Sequence, residues 1–524
     1  MTAEQADIPL EQRLATAMAA LPARIDQAIL PWAERTPEAP ALVEAERSWS
    51  YAELARQVAV LRDLLREGGV RPGDRVMVVA ENSIAQAALV LAISAAAAWS
   101  VVVNSRLSAR EIDVIRDHSG ARRLLYTVAA SPDARAHAER HGAGLLDLPG
   151  LGALALGPLA PEAVPEPPAA DPARQVAVLL YTSGTTGAPK GVMLSHRNIL
   201  FVATTARVMR RLGPEDRLYG VLPIAHIVGF ATVLVATLLA GGSVHLAPRF
   251  QPEAALVTLE RQQITRFLGV PAMFQRLREH CALKGIARLD LPQLRLLSAS
   301  GAPLDLDLKE STERLFGLPL NNGYGITECA PTIAMTAMDR PRRDDSVGEP
   351  IPGVELRLLG PDRRPVPPGE VGEIHVRSPG LMQGYYRAPE LTAAAVDAEG
   401  WFNTGDLARM QDGALWIVGR SKELIIRSGF NVYPPEVEAV LNAHPDVTLS
   451  AVVGRRVPGN EEVVAFVQLR PGAAVTPGDL AGFAAARLAP YKRPAEIRVL
   501  DALPTNPTGK ILKQQLARQA GAAS

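Results

Sequence analysis

Only two cysteines, Cys281 and Cys329, occur in 524 residues. At most one bridge could form, so a disulfide scaffold is excluded and a reducing, cytoplasmic setting is expected. Neither sign of charge is in excess: 55 Lys and Arg stand against 55 Asp and Glu. A balanced chain has no global field to hold nucleic acid or an anionic membrane. No His/Cys cluster has zinc spacing, and no internal repeat is visible. Met1 to Ile8 is acidic and polar, without the charged-then-apolar order of a secretion signal. Gly521 to Ser524 matches no retention or lipidation signal. Aromatics are scarce at 5%, yet 48% hydrophobic residues supply a large core. The length predicts about three structural units.

Long apolar runs number two. Ile84 to Val103 is long enough to span a bilayer, and Ile227 to His245 is similar but softer. The first is rich in small residues, the second ends in Gly241-Gly242, and neither carries the basic flanks that orient membrane helices. Both are read as buried helix, with no transmembrane segment.

The first 150 residues alternate helical stretches with short apolar runs such as Arg75 to Ala80, the rhythm of βα units. A Pro-rich stretch, Leu159 to Pro172, reads as a surface linker. Strand-like runs at Val176 to Tyr181, Leu218 to Leu222, Phe267 to Val270 and Leu294 to Ser298 suggest a second α/β unit. From Val354 the runs become short and alternating, with Pro367-Pro368-Gly369 and Asp412-Gly413 as turns. Past Arg420 a compact α+β module of about 100 residues begins. The fold class is α/β: two α/β subdomains plus a β-rich subdomain in residues 1–420, then a small mobile α+β domain in residues 421–524.

The densest chemistry lies at Tyr181 to Gly191, Y-T-S-G-T-T-G-A-P-K-G. Gly184, Gly187 and Gly191 permit close backbone approach. Thr182, Ser183, Thr185 and Thr186 and the exposed N–H groups can donate to phosphate oxygens, while Lys190 supplies charge. The spacing is not that of a P-loop NTPase.

This segment resembles the signature of the adenylate-forming superfamily, which includes acyl-CoA synthetases, peptide-synthetase adenylation domains and firefly-luciferase-like enzymes. The resemblance runs over about residues 30–515, with further motifs in the family's order: Asn322 to Pro331 (N-G-Y-G-I-T-E-C-A-P), Trp401 to Leu407 (W-F-N-T-G-D-L), Ile417 to Pro434 and Pro504 to Lys510 (P-T-N-P-T-G-K). Glycines flank Tyr324, so its ring can lie flat against a planar ligand. The resemblance implies that Tyr324, between Gly323 and Gly325, stacks on adenine, that Thr327 bonds the α-phosphate and that Glu328 holds Mg²⁺. It gives Asp406 the ribose hydroxyls, Arg420 a second ribose or phosphate contact, and Gly301 a place in the nucleotide site. Lys510 enters the active site from the small domain and neutralises charge as the carboxylate attacks the α-phosphate. Lys422 matches the hinge, and Ser428-Gly429-Phe430-Asn431 the loop lining a pantetheine tunnel. His226 stands beside an acyl pocket lined by Ile227, Val228, Phe230, Ser300, Gly301, Gly323 and Gly325. Cys329, with no neighbouring base, is a small wall residue rather than a nucleophile.

The pocket residues are apolar or small, with no evident cation for a second carboxylate. This disfavours a dicarboxylate and favours a fatty or aromatic monocarboxylic acid. The implied reaction is ATP-dependent: carboxylate and MgATP give acyl-AMP and pyrophosphate, then coenzyme A takes the acyl group. Fourteen residues follow Lys510, and no carrier domain is expected. A free-standing adenylation enzyme loading a separate carrier protein stays open, as does a non-catalytic nucleotide-binding homologue. Monomer and homodimer are equally compatible. Two departures stand out: Asn104-Ser105 replaces the family's usual Asn-Pro, and Arg455 to Glu462 (R-R-V-P-G-N-E-E) lacks its common marks. Arg455 and Arg456 therefore read as a solvated basic turn rather than as CoA contacts.

Overall fold

The computed structural model describes residues 8–148, 150–183, 189–458, 460–505 and 510–521. Two large sheets carry the first two thirds of the chain. The eight-stranded sheet has the order Gly384–Tyr385, Pro189–Ser195, Val176–Ser183, Trp99–Asn104, Arg75–Ala80, Arg123–Tyr126, Gly152–Leu156, Gly144–Leu148. Its middle strands are parallel, with Arg75–Ala80 in register against Trp99–Asn104 and Arg123–Tyr126. The nine-stranded sheet runs Glu349–Pro350, Thr332–Met335, Leu320–Gly325, Leu296–Ser300, Arg266–Gly269, Arg217–Gly220, Ser243–Leu246, Pro40–Glu44, Arg47–Ser50. Its interior is again parallel, with antiparallel strands added at both edges. Continuous apolar strands such as Arg75–Ala80, buried along their whole length, are what a parallel sheet covered on both faces demands.

One core joins the two sheets. It contains Val76 and Val78 from the first, Leu42 and Val244 from the second, and Ala87, Leu89, Val90 and Leu91 from a helix that serves both. This explains the long apolar runs, although neither is one helix. Ile84 to Val103 divides into a helix, Ile84–Ala95, and a strand, Trp99–Asn104, with Ala97 at φ +60° in the turn between them. The helix is apolar all round because it is buried all round. Its free N–H groups are met by Ser83 Oγ at Gln86 N and by Glu44 Oε2 at Ile84 N (2.8 Å). Ile227 to His245 divides into a π-helix, Val228–Val235, a short α-helix, Ala236–Ala240, and the strand Ser243–Leu246. Gly229 makes that π-helix possible, because a Cβ there would lie 2.2 Å from the Pro223 carbonyl oxygen.

The Pro-rich stretch is irregular, as expected, but it is strapped down. Glu166 N donates to Gly73 O at 3.0 Å, and Tyr386 OH donates to Glu166 Oε1 at 2.6 Å.

A four-stranded antiparallel sheet, Glu355–Leu359, Val371–Arg377, Phe402–Gln411 and Ala414–Arg420, forms the β-rich part. Beyond it, a hairpin (Ile425–Arg427, Phe430–Val432) and a three-stranded sheet (Val447–Val457, Asn460–Leu469, Glu496–Leu500) pack with the helices Pro434–Asn442, Pro477–Ala485 and Lys513–Gly521. This smaller unit has its own apolar clusters, around Val452 and Val463 on one face and Phe466 and Leu516 on the other. The architecture is thus mixed α/β with a large N-terminal and a smaller C-terminal part. Among the described residues, no helix is long and apolar enough to cross a membrane.

Candidate active site

Stretches far apart in sequence converge, most of them carried by strands. The phosphate-loop strand, Val176–Ser183, returns antiparallel as Pro189–Ser195 and sets Thr182 opposite Lys190. Gly184, Thr185, Thr186 and Gly187 lie outside the described residues, as does the Ser183 side chain. Lys190 Nζ stands 5.0 Å from the centroid of the Tyr385 ring. The hydroxyl of Tyr385 in turn donates to Glu328 Oε1 at 2.9 Å, and burial with the Glu328 charge pushes the phenol up. Tyr385 therefore joins Lys190 to Glu328. Sequence reasoning missed it; the only signal is the Gly384-Tyr385-Tyr386 string, which bears no motif of its own.

The strand Leu320–Gly325 carries Tyr324 to the centre. Gly325 is required there, because a Cβ would sit 2.2 Å from the Pro331 carbonyl oxygen. Tyr324 OH donates to Asp406 Oδ2 at 2.6 Å, and burial, reinforced by that carboxylate, holds the phenol well above its usual range. Thr327, Glu328 and Cys329 form the short 3-10 turn that follows, with Cys329 fully buried. Among the described residues no ion pair engages Glu328. Its carboxylate, fixed by Tyr385 on one oxygen, fits a magnesium ion that completes its shell with phosphate oxygens and water.

Asp406 and Arg420 are direct partners across antiparallel strands. Arg420 Nε is 2.8 Å from Asp406 Oδ1, and the carboxylate is 3% exposed. Thr404 Oγ1 receives Asp406 N at 3.0 Å and donates to Ile374 O at 3.0 Å, while Gly405 turns the chain at φ +69°. Burial works against the Arg420 charge, but Asp406, Glu423, Tyr324 and Glu328 outweigh it and raise its pKa.

Lys510 arrives from the C-terminal unit and lies within the fields of Arg420, Asp406, Glu423 and His226. Although Lys510 keeps a solvent-exposed surface, partial desolvation by the surrounding protein and then the Arg420 charge lower its pKa. Burial and the Lys510 charge bring His226 down to about 4, so the imidazole is neutral at physiological pH. Asn506 to Gly509, in the same motif, lie outside the described residues.

The acyl-pocket residues separate into two groups. His226, Val228, Ser300 and Gly323 keep partial exposure and Gly301 is exposed at φ +85°. Ile227 and Phe230 do not line accessible space: at 1% and 0% exposure, just before and within the π-helix, they are packed into the joint core. Lys422 occupies a short 3-10 turn, Ser421–Glu423, between the last strand of the four-stranded sheet and the hairpin. Ser428, Gly429 and Phe430, expected from the resemblance to line a tunnel, lie in the hairpin of the C-terminal unit. Ser428 N donates to Asn460 Oδ1 at 2.7 Å, and Ser428 and Gly429 turn the hairpin at φ +52° and +82°. Phe430, 55% exposed, stacks on Tyr491 with centroids 4.6 Å apart. Arg455 is not a free cation: Glu462 holds it at 2.7 Å and Glu496 at 2.5 Å. Arg456 remains exposed.

The chain matches known proteins along most of its length. The model of the AMP-binding enzyme family matches residues 30–386, and that of the AMP-binding enzyme C-terminal domain matches residues 436–510. The chain is 37% identical over 503 residues to a feruloyl-CoA synthase of Amycolatopsis sp, covering 93% of this chain and 97% of that protein. It is 33% identical over 483 residues to an indoleacetate–CoA ligase of Aromatoleum aromaticum, covering 90% and 93%. An o-succinylbenzoate coenzyme A synthetase from Bacillus subtilis, solved with ATP and magnesium ion, superposes with a TM-score of 0.80 at 29% identity over 94% of this chain and 99% of that one. With two family models in order along the chain and near full-length kinship to CoA ligases, the protein belongs to the AMP-binding enzyme family as an AMP-forming acid–CoA ligase that uses ATP, Mg²⁺ and CoA.

Proposed function

We propose that the protein activates an aromatic monocarboxylic acid, with the reacting carboxyl on a short arm from the ring, and transfers it to CoA through the residues described above. The observation that carries this reading is that the charge of Lys510 acts on His226 and on the Asp406–Arg420 ion pair. An ammonium from one end of the chain thus shares a local field with the carboxylate and guanidinium suited to the ribose of ATP. The partly exposed wall of Val228, Ser300 and Gly323 is uncharged, so it suits a flat apolar body with a single carboxylate. The feruloyl and indoleacetate relatives support an aryl acid over a straight fatty chain.

In the first step the acid's carboxylate attacks the α-phosphorus of ATP and pyrophosphate leaves. Negative charge grows on the α-phosphate oxygens, and Lys510 with Thr327 is placed to offset it. Lys190 and the loop hydroxyls hold the leaving phosphates, and Tyr324 and Asp406 hold adenosine. Neutral His226 adds no second positive charge against Lys510. Glu328, steadied by Tyr385, would hold Mg²⁺, which screens the phosphate charge when bound. In the second step the CoA thiolate attacks the acyl carbonyl and AMP leaves. For that step the unit beyond residue 420 turns about Lys422 and presents the Ser428–Phe430 hairpin to the pantetheine arm. The reaction suits the cytoplasm, where ATP and CoA are supplied.

The test is mass spectrometry of products from purified protein with MgATP, CoA and a panel of acids: butyrate, octanoate, palmitate, malonate, benzoate, phenylacetate and a hydroxycinnamate. The expected result is a thioester from the hydroxycinnamate or phenylacetate at the highest rate. Preference for palmitate or malonate would overturn the aryl assignment, and acyl-AMP accumulating without thioester would move the acceptor to a carrier protein.

A further inference from the structure

A second set of charges beside the hinge has no assigned part in the reaction. Lys513 opens the last helix, Lys513–Gly521. A cation at the first helical position faces the positive end of the helix dipole, where it is disfavoured. Two carboxylates hold it there: Nζ lies 2.7 Å from Glu438 Oε1 and 3.4 Å from Glu423 Oε2. Glu438 is itself fixed, since the same oxygen accepts Val452 N at 2.7 Å. Glu423 follows Lys422 directly and ends the turn that leaves the Arg420 strand.

Lys510 stands three residues before Lys513. Just before Lys513, Ile511 bridges to Thr505 and Leu512 N donates to Pro504 O at 2.8 Å, so the start of the last helix is tied to the strand of chain that leads toward Lys510. Glu423 also acts on Lys510 directly, favouring its charge while Arg420 and Lys513 oppose it. The charge of one hinge carboxylate therefore acts on two lysines, Lys513 at 3.4 Å and Lys510, the lysine assigned above to the substrate. An ion pair formed in a partly desolvated site is strong enough to hold a lysine away from a developing charge.

We propose that Lys513 is a positioning residue for the adenylation step: by occupying Glu423 and tying the start of the last helix to Glu438, it keeps Lys510 from being captured at the hinge and aims it at the α-phosphate. The inference rests on the assignment of Lys510 above and extends it.

The experiment separates the two half-reactions. In Lys513→Met, acid-dependent ATP–pyrophosphate exchange falls by about tenfold or more, the scale of a misplaced reacting group. Thioester formation from chemically prepared acyl-AMP and CoA stays at the wild-type rate, which also shows that the variant is folded. Glu423→Gln in the Lys513→Met background restores most of the exchange, because a neutral amide cannot capture Lys510. A purely structural role for Lys513 would not be rescued this way. Lys513→Arg keeps most of the activity. Wild-type exchange in Lys513→Met, an equal loss in both half-reactions, or no rescue by Glu423→Gln would each overturn the proposal. Lys510→Ala is run alongside; normal exchange in that variant would overturn the parent assignment, and this inference with it.

Discussion

The paired strands around Asp406 in the large unit and the hairpin of the small unit are built on different principles. Asp406 is buried, is bonded by Tyr324 OH, Thr404 and Arg420, and sits in register between paired strands. The Ile425–Val432 hairpin is a two-stranded sheet anchored by buried Ile425 and Val432, but its outer side exposes Ile426 and Phe430 and leans on the Phe430–Tyr491 stack and on Arg427 donating to the carbonyls of Tyr491 and Arg493. The first arrangement is fixed before any ligand arrives, as electrostatic preorganisation requires. The second leaves an exposed face, as the proposed exchange of partners between half-reactions would need. On the proposed reading, adenylation draws on the preformed pair and thioester formation on the exposed hairpin.

Substitutions can break this contrast from either side. The largest effect is expected for Lys510→Ala: acid-dependent ATP–pyrophosphate exchange falls by about 10²–10³, while ATP still raises the melting temperature. Near-normal exchange would remove the lysine from the chemistry. Next comes Gly325→Ala. Its Cβ has no room beside Pro331 O, so Tyr324 and the Thr327–Cys329 turn are displaced, and exchange and ATP-induced stabilisation are lost together; a variant with unchanged ATP affinity would refute the packing argument. Asp406→Asn removes a charge that both holds Arg420 and can accept two ribose hydroxyls, and its KM for ATP rises by about 10-fold or more, the scale of a charged hydrogen bond lost. Tyr385→Phe should act more mildly and selectively, raising the Mg²⁺ concentration needed for half-maximal exchange a few-fold, about the value of one hydrogen bond; an unchanged Mg²⁺ dependence would detach Tyr385 from Glu328. On the other side of the comparison, Phe430→Ala should leave exchange intact and raise the KM for CoA; impaired exchange would mean that the hairpin belongs to the first half-reaction.

A smaller effect concerns pH. His196 is fully buried, its Nδ1 accepts Ile25 N at 3.4 Å, and burial with Arg24 brings its pKa down to about 3. The folded state keeps the ring neutral where the unfolded chain, with an ordinary value near 6.5, binds a proton. The stabilisation is therefore complete above about pH 6.5 and is lost as pH falls from there toward 3. Thermal melts between pH 7 and 4.5 should show a decline that His196→Gln flattens; an equal slope in both would assign the decline to other groups.

Much of this was legible in the sequence. Buried parallel strands announce themselves as continuous apolar runs, which is why Arg75–Ala80 is read to the residue. The order of the motifs singled out Tyr324, Asp406 and Arg420, which the structure brings into contact, since the glycines flanking Tyr324 and the Thr404-Gly405-Asp406 turn are local necessities. What escaped were partnerships between distant segments. Nothing near Tyr385 says that it bridges Lys190 and Glu328, and nothing near Lys513 says that Glu423 and Glu438 hold it. The apolar runs misled for a related reason: a helix buried on every face has no period to mark where it ends, so the break before Trp99 is invisible. Phe230 reads as a pocket residue by its place in the motif, but within the π-helix it is packed into the joint core.

The central claim is that the adenylation site is complete before CoA is bound. It is tested most directly by quenching the enzyme after mixing with MgATP and a hydroxycinnamate in the absence of CoA and counting products by mass spectrometry. The account predicts a burst of about one acyl-AMP and one pyrophosphate per chain, converted to thioester when CoA is added. Absence of adenylate and pyrophosphate until CoA is present would contradict it.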